Sequence, residues 1–214
     1  MAVKVNIEKN FRDFFLKVDF EGSSAAIGLL GASGSGKSMT LRCIAGIETP
    51  DNGRIVINGK TVFDSEAGID LKPQKRRIGY LFQNYALLED KSIAYNLEIV
   101  FSGRMKREEK RQRIMEALEA VGLKGMEKKK VCQCSGGEQQ RAAMARLLLK
   151  PCELILADEP TGNLDPQNKE KVYELLKEMN VQGKTVIIVT HDMELAKRCD
   201  RILVMDEGKL STAA

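Results

Sequence analysis

Three apolar runs constrain the fold of this chain more than any other feature of its sequence. They lie at residues 25–30, 154–157 and 186–189, and none of them alternates between apolar and polar side chains. Strands that are apolar on both faces belong to parallel sheets with helices covering each side. We therefore predict an α/β fold with a mainly parallel sheet flanked by helices.

An antiparallel β edge is predicted for the N-terminal part of the chain. The stretches around residues 3–7, 14–20 and 54–62 alternate between apolar and polar residues, as half-buried strands do. Turn residues at 51–53 (Asp-Asn-Gly) and 58–59 (Asn-Gly) are expected to connect these strands.

The middle of the chain predicts a helical lobe inserted into the sheet domain. Apolar positions within residues 84–149 recur at helical spacing, and no convincing strand is found there. A chain of 214 residues suits one well-buried domain. We therefore assign 1–214 to a single domain, with an α/β core at 1–83 and 150–214 and the helical lobe at 84–149.

Charge, cysteine content and hydropathy exclude several classes of function. The formal net charge of +4 is too small to indicate nucleic acid or an anionic membrane as a partner. The five cysteines are odd in number and irregularly spaced, which favours reduced structural thiols over a metal site. The N-terminus has no apolar signal-peptide core, and no apolar run approaches the ~18–20 residues of a membrane span. Any membrane role is therefore expected to depend on partner subunits.

The eight residues from Gly31 to Ser38 fit the phosphate-loop pattern G-x-x-x-x-G-K-[ST]. They follow the first apolar run and precede a helical stretch, which is the context that such a loop requires. The glycines let backbone N–H groups turn towards an anion, Lys37 reaches the β- and γ-phosphates, and the Ser38 hydroxyl ligates Mg²⁺. The predicted nucleotide-binding residues of this segment are Gly31, Ala32, Ser33, Gly34, Ser35, Gly36, Lys37, Ser38 and Met39.

Two acidic residues, Asp158 and Glu159, end the second apolar run. A parallel sheet presents its ligand-binding edge at the ends of its strands, so both carboxylates are expected near the phosphates. Asp158 would hold Mg²⁺ through water, and Glu159 would orient and deprotonate the water that attacks the γ-phosphate.

The stretch 134–141 separates this chain from other phosphate-loop proteins. It reads Cys-Ser-Gly-Gly-Glu-Gln-Gln-Arg and resembles the signature of ABC transporter ATPases, usually written LSGGQ, with Cys134 in place of Leu and Glu138 in place of Gln. Ser135 and Glu138 also form a capping box at a helix start, and both interpretations can hold together. The resemblance implies that ATP on the opposite subunit is contacted by Ser135, Gly136, Gly137 and Glu138.

Three further motifs follow in the order of this family. Gln83 resembles the Q-loop glutamine, which senses Mg²⁺ and links to the membrane partner. Asp165, the last residue of Asn-Leu-Asp at 163–165, resembles the D-loop that crosses the dimer interface. His191 is the only histidine in the chain and resembles the switch histidine that contacts the γ-phosphate. The predicted catalytic residues are thus Lys37, Gln83, Glu159 and His191, and the predicted Mg²⁺ contacts are Ser38, Gln83 and Asp158.

Adenine usually stacks on an aromatic residue before the phosphate loop in this family. Phe11 matches that position best. Phe14 and Phe15 are rivals, although the apolar alternation places one or both in the sheet.

The resemblance covers the chain from about residue 3 to residue 209 and implies an ATP-binding and ATP-hydrolysing subunit. Its expected cofactors are ATP and Mg²⁺, and its expected partners are a second copy of the chain and transmembrane permease subunits. A substrate-binding protein would join them in an importer. No nucleic acid partner is expected. The location implied is cytoplasmic, on the inner face of the membrane through the permease.

The sub-family motifs conflict. The segment 57–83 resembles the ATPases of molybdate importers, whereas the sequence of residues 154–165 is similar to that of lipoprotein-release and macrolide-export ATPases. The first segment faces the membrane subunit in the family, so it favours oxyanion uptake. Many molybdate and sugar importers add a C-terminal regulatory domain, and this chain either lacks it or was cut before it.

Two other classes stay open as alternatives. ABC ATPases of DNA repair or chromosome structure interrupt their ATPase halves with long coiled coils, which the short helical lobe argues against. Translation-factor ABC proteins carry two cassettes in one chain, whereas one is found here.

Overall fold

The computed structural model describes residues 3–22, 26–101, 103, 105–162 and 164–212. Within them, eleven strands form one mixed sheet. The strands are β1 Val3–Phe11, β2 Phe14–Gly22, β3 Ala26–Leu30, β4 Asn52–Ile57, β5 Lys60–Asp64, β6 Ile69–Asp70, β7 Ile78–Leu81, β8 Leu154–Asp158, β9 Thr185–Thr190, β10 Arg201–Asp206 and β11 Lys209–Thr212. The α-helices are α1 Lys37–Ala45, α2 Ile93–Glu98, α3 Arg107–Ala120, α4 Gly136–Leu149, α5 Pro166–Val181 and α6 Met193–Lys197.

The three apolar runs form the parallel centre of the sheet, as predicted. The strand order is β6-β5-β4-β1-β2-β11-β10-β3-β9-β8-β7, and β10, β3, β9 and β8 pair in parallel. Every residue of β8 and β9 is buried, which is why neither strand alternates in sequence. Ala25, assigned to the first run, lies outside the described residues. The prediction did not include β7 or β10, which extend this part of the sheet.

The register of the parallel strands brings the predicted motifs to one edge. Leu30 pairs with Thr190, and Asp158 pairs with Val189. The phosphate loop, the acidic pair and the segment that begins with His191 therefore leave the sheet at the carboxyl ends of three neighbouring strands. Open α/β sheets bind their ligands at this edge.

The antiparallel edge is also present, but one predicted turn was wrong. Asn58 and Gly59 connect β4 to β5, both with positive φ (46° and 78°), as expected for a tight hairpin. Gly53 instead lies inside β4 and pairs with Ile7 of β1. A Cβ atom at Gly53 would lie 2.1 Å from the carbonyl oxygen of Asn6, so glycine is needed for close strand approach and not for a chain reversal.

The chain divides into two compact units. The first, here called the core unit, contains Met1–Tyr80, Cys152–Pro160 and Tyr173–Ala214. The second, here called the helical unit, contains Leu81–Pro151 and Thr161–Val172, in which α2, α3 and α4 pack on one another. The helical unit thus includes the whole range 84–149 and also residues that follow β8. Among the described residues, none of the helices is long and apolar enough to cross a membrane.

A fully buried arginine ties the C-terminus of α1 to the rest of the core unit. The Arg76 guanidinium donates through Nη1 to the carbonyls of Cys43 (3.0 Å) and Ile44 (2.9 Å). Its Nε donates to the carbonyl of Leu71 (2.7 Å), and its Nη2 contacts Asp70 Oδ1 at 2.8 Å. The last carbonyls of a helix have no partner within the helix, so this side chain serves as the cap of the helix that follows the phosphate loop.

Replacing Arg76 with methionine is expected to destabilise the protein strongly. The change removes a donor from three backbone carbonyls, of which only that of Cys43 keeps another, the N–H of Gly46, and the total cost is about 3 kcal/mol. For a chain of this size, that should lower the midpoint of thermal unfolding by about 6–12 °C. The matched control is Arg77→Met, because Arg77 pairs with Glu153 at 2.8 Å but its side chain is 65% exposed. Such a surface pair contributes about 0–1 kcal/mol. Equal midpoints for the two variants would contradict the capping role.

Candidate active site

The phosphate loop spans residues 31–36, between β3 and α1, and its backbone passes very close to its neighbours. Gly36 has a φ of 105°, and a Cβ atom there would lie 2.7 Å from Cζ of Phe14. A Cβ atom at Gly31 would lie 2.3 Å from the carbonyl oxygen of Met205. The hydroxyl of Ser35 is buried and has no hydrogen-bond partner among the described atoms. With the unpaired N–H groups of the first turn of α1, these features suit a loop that holds an anion.

Lys37, the first residue of α1, folds back over the loop. Its Nζ atom donates to the carbonyls of Gly31 (2.8 Å) and Ala32 (2.7 Å), and the residue is buried. Burial lowers the pKa of Lys37, while the carboxylates of Glu159 and Asp158 act in the opposite direction. The ammonium group is therefore held between the loop and the acidic pair, where phosphate charge would be neutralised.

Asp158 accepts hydrogen bonds on both of its carboxylate oxygens. Ser38 Oγ donates to Oδ1 at 2.7 Å, and the Tyr80 hydroxyl donates to Oδ2 at 3.2 Å. A hydroxyl and a carboxylate are hard oxygen donors of the kind that Mg²⁺ takes from proteins, with phosphate and water completing its shell. No cluster of three or more His, Cys, Asp and Glu side chains suited to a metal occurs in the described part of the chain. The Ser38 hydroxyl and the Asp158 carboxylate, 2.7 Å apart, fit an ion whose remaining ligands are phosphate and water.

Glu159 and His191 contact each other at the carboxyl edge of the sheet. His191 Nδ1 lies 3.0 Å from Glu159 Oε1. The Glu159 backbone adopts a positive φ of 49°, and its N–H donates to the carbonyl of Val189 at 3.0 Å. A non-glycine residue in this conformation is strained, and such strain is concentrated at functional sites. The Glu159 side chain is only 14% exposed, whereas that of His191 is 73% exposed.

The three candidate aromatic residues have different surroundings. Phe11 and Phe14 have ring centroids 6.1 Å apart, and Lys9 Nζ lies 5.4 Å from the Phe11 centroid. Phe14 packs beneath the phosphate loop at Gly36, while Phe15 is 44% exposed. Phe14 thus has a packing role already, and the assignment of Phe11 to adenine stays a prediction.

The signature-like stretch begins α4 in the helical unit. Ser135 is the N-cap residue: its hydroxyl accepts from the N–H of Glu138 at 3.3 Å. Glu138 Oε2 accepts in return from the N–H of Ser135 at 2.8 Å and pairs with Lys129 at 2.8 Å. These two bonds, with that to Lys129 the larger contributor, lower the pKa of Glu138. Ser135 and Gly136 are exposed, so the capped helix start is open to a ligand.

The remaining predicted residues also lie in the helical unit. Gln83 is exposed in the turn that follows β7, and Asp165 directly precedes α5. Asn163, the first residue of the predicted D-loop, lies outside the described residues. Lys37, Ser38, Asp158, Glu159 and His191 are brought together in the core unit.

Comparison with known proteins shows the family. A family model described as "ABC transporter" matches residues 18–162, which is more than half of the chain. The chain belongs to the ABC transporter family. It is the ATPase subunit of such a transporter, and the predicted fold is confirmed as the ABC cassette form of the phosphate-loop fold.

Solved ABC structures resemble this chain over almost its whole length. The dimeric structure of MJ0796, a bacterial ABC transporter cassette, is 32% identical, with a TM-score of 0.86 over 99% of this chain and 98% of that chain. A dimeric post-hydrolysis state of MJ0796 with ADP and Pi is 31% identical, with a TM-score of 0.85 over the same shares. The protein cbiO1 from Clostridium perfringens, part of the ABC transporter complex cbiONQ, is 29% identical; its TM-score is 0.83 over 98% of this chain and 86% of that chain.

Two arginines of α4 contact the turns that carry Gln83 and Asp165, and neither contact was predicted from the sequence. Arg146 donates to the carbonyls of Tyr85 and Ala86, each at 2.6 Å, in the turn that contains Gln83. Tyr85 and Ala86 both have positive φ (61° and 46°), so Arg146 donates to the carbonyls of a strained turn.

The second arginine, Arg141, stabilises the turn that carries Asp165. Its Nη1 atom donates to Asn168 Oδ1 at 3.0 Å. Asn168 in turn donates from its side chain and its backbone to the carboxylate of Asp165. The bond from the Asn168 N–H is the largest cause of the lowered pKa of Asp165. Helix α4 and the turn that carries Asp165 are therefore linked within the helical unit.

Proposed function

We propose that this chain binds ATP with Mg²⁺ and hydrolyses it as one half of an ATP-sandwiching homodimer, and that hydrolysis drives transport through membrane permease subunits. The observation that carries the proposal is the contact between Glu159 and His191 beside the pair formed by Ser38 and Asp158. A base, a metal-binding pair and a phosphate loop on one sheet edge are the parts that hydrolysis of a γ-phosphate requires.

Different groups of the core unit would bind the phosphates and the metal ion. Backbone N–H groups of residues 31–39 would hold the phosphates, and Lys37 would neutralise charge on the β- and γ-phosphates. Ser38 and Asp158 would hold Mg²⁺, Asp158 through water. When bound, the ion would withdraw charge from the phosphate oxygens. Gln83 is proposed to complete the metal shell, and Phe11 to stack on adenine.

Glu159 is proposed as the general base. A carboxylate that accepts a proton from water near the γ-phosphate raises the nucleophilicity of that water. Its backbone bond to Val189 and its contact with His191 restrict where the carboxylate can point. His191, largely exposed, would contact the γ-phosphate as well as the base.

The start of α4 has the properties of a phosphate-binding helix N-terminus. In the family that it resembles, this stretch binds the nucleotide of the other subunit, and we therefore propose a homodimer. Ser135, Gly136, Gly137 and Glu138 would bind the partner's ATP, and Asp165 would lie at the interface. The similar MJ0796 cassettes are described as dimeric, which supports this assembly.

The dimer predicts a rate that depends on protein concentration. In the dilute range, ATP turnover per chain should increase with concentration, because a monomer lacks half of each composite site. The assay is phosphate release measured over a dilution series, with sedimentation at the same concentrations. A specific activity that stays constant for a chain shown to be monomeric would exclude the composite site.

Mixed variants give the matched control. Each composite site combines the phosphate loop of one chain with residues 135–138 of the other. Lys37→Ala disables the phosphate loop, and Ser135→Arg blocks the contribution of residues 135–138. Each variant alone should be inactive, but an equal mixture should regain about a quarter of the wild-type activity, since half of the dimers would contain one intact site.

Uptake of an oxyanion such as molybdate is proposed as the transport reaction, on the resemblance of 57–83 to molybdate-importer ATPases. The sequence of residues 154–165 favours a second candidate, an exporter or lipoprotein-release system. The description of cbiO1 as part of a complex is consistent with partner subunits in either case. The test is co-purification with the permease from the same gene cluster, followed by reconstitution in liposomes. A molybdate-loaded binding protein should stimulate ATP hydrolysis in an importer and leave an exporter unaffected.

A further inference from the structure

Glu138 places a negative charge at the start of α4, where the proposed function puts the phosphates of ATP bound to a second chain. The residue stands where the ABC signature usually has glutamine. It lies in the first turn of the helix, beside the N–H groups that a phosphate would use. Like charges that face each other across an interface oppose association. The carboxylate must therefore be neutralised if this helix start is to bind a triphosphate.

Lys129 carries the neutralising charge. Its Nζ atom donates to Glu138 Oε2 at 2.8 Å, and the same oxygen accepts from the N–H of Ser135 at 2.8 Å. The side chains of Lys129 and Glu138 are 33% and 22% exposed, so salt screens this pair less than a fully exposed one. The bond between them raises the pKa of Lys129 and lowers that of Glu138, which keeps both groups charged.

The backbone around Lys129 is fixed within the helical unit. The Lys129 carbonyl accepts from the N–H of Ile93, the first residue of α2, at 2.9 Å, and its N–H donates to the carbonyl of Met126 at 3.0 Å. Two residues further along, the N–H of Val131 donates to the carbonyl of Lys91 at 3.0 Å. The backbone that carries the ammonium group is therefore held in place by α2 and the residues before it.

The capping contacts leave the first N–H groups of the helix available. Ser135 Oγ accepts from the N–H of Glu138 at 3.3 Å. The N–H groups of Gly136 and Gly137 come before it in the first turn, where a helix offers its donors no internal acceptor. Gly136 is exposed, and the pair of Lys129 and Glu138 leaves no net charge beside it. A phosphate that approaches these donors is therefore not opposed by the carboxylate.

We propose that Lys129 is a positioning residue that neutralises Glu138 and holds it in the capping box, so that the start of α4 can bind the triphosphate of ATP bound to a second copy of the chain. This inference rests on the proposed function, in which two chains enclose ATP. It goes beyond that function because it makes closure of the dimer depend on a side chain that acts through Glu138 and not on the nucleotide.

The test measures ATP-driven dimerisation of the full chain in a parent variant, Glu159→Gln, in which hydrolysis is expected to be blocked. Sedimentation in Mg-ATP over a dilution series gives the chain concentration at which half of the protein is dimeric. Adding Lys129→Met should raise this concentration by about tenfold, because an unpaired carboxylate would face the triphosphate in both composite sites. The affinity of the monomer for a fluorescent ATP analogue should be unchanged, since residues 31–38 are unaltered.

Removing the charge of Glu138 should rescue the variant. Lys129→Met combined with Glu138→Gln should dimerise at nearly the concentration of the parent, because the amide oxygen can still accept from the N–H of Ser135 but has no charge to neutralise. Lys129→Arg keeps the positive charge and should also match the parent. The matched control is Lys124→Met, which removes the same charge and an exposed pair with Glu119 from the helical unit and should not change dimerisation.

The outcomes separate this inference from the function on which it rests. A parent variant that binds Mg-ATP but does not dimerise would contradict the proposed homodimer itself. Equally strong dimerisation with and without Lys129→Met would overturn only the role of Lys129. A defect that Glu138→Gln does not rescue would make Lys129 a structural support of α4 and would also overturn it. Circular dichroism checks the fold of each variant, and weaker dimerisation of the parent with Glu138→Gln alone would count against the inference as well.

Discussion

Replacing Glu159 with glutamine is expected to lower ATP turnover by about 10²–10⁴-fold, the usual contribution of a general base. The change keeps the size of the side chain and its capacity to bond with His191 Nδ1, which lies 3.0 Å from Glu159 Oε1, but removes the carboxylate that is proposed to accept the proton. ATP binding should persist, because Lys37, Ser38 and Asp158 are unchanged. The measurement is turnover at saturating Mg-ATP, with the affinity for a fluorescent ATP analogue measured in parallel.

Glu153→Gln serves as the matched control for this prediction. Glu153 directly precedes β8, while Glu159 directly follows it, and Glu153 pairs with Arg77 and Asn58 instead of with a proposed catalytic residue. Its turnover should stay close to that of wild type. Near wild-type turnover in Glu159→Gln would remove this residue from its role, and His191 would become the next candidate for the base.

Replacing Lys37 with alanine is expected to weaken nucleotide binding by about 100-fold and to abolish measurable hydrolysis. A hydrogen bond that involves a charged group contributes about 1.5–3 kcal/mol, and Lys37 would supply such bonds to two phosphates. The cost of losing its bonds to the Gly31 and Ala32 carbonyls is small, because an open loop can replace them with water. Titration with a fluorescent ATP analogue measures the affinity, and circular dichroism checks that the fold is kept.

Lys124→Ala is a suitable control for the loss of one positive charge. Lys124 pairs with Glu119 at 2.7 Å in the helical unit, and its side chain is 69% exposed. This variant should bind the analogue with wild-type affinity. If Lys37→Ala also retained full affinity and turnover, the phosphate loop would not hold the nucleotide in the way proposed.

The centre of the fold was predictable because strands that are buried on both faces have continuous apolar sequences. The runs in β8 and β9 consist of buried residues throughout, so they were assigned as parallel strands. By contrast, β7 has four residues, one of them a glycine and another the half-buried Tyr80, so it shows no period of its own. Gly53 was misassigned to a turn because the same residue type serves turns and close strand contacts alike.

The site itself was predictable only as far as local motifs extend. The phosphate loop, Asp158 and the capping box are read from residues close together in sequence. Their partners are not: Tyr80 and Asp158 are 78 residues apart, and Arg146 and Tyr85 are 61 apart. No local pattern marks a tyrosine or an arginine as the partner of a distant carboxylate or carbonyl, so these contacts depend on tertiary structure.

The oligomeric state of Glu159→Gln tests the central claim most directly. With hydrolysis blocked, Mg-ATP should accumulate between two subunits, and the loss of a carboxylate near the γ-phosphate removes like-charge repulsion that opposes closure. Sedimentation in Mg-ATP should therefore show this variant as a dimer, and sedimentation in Mg-ADP should show a monomer. A variant that binds Mg-ATP yet sediments as a monomer in both nucleotides would contradict the ATP-sandwich account.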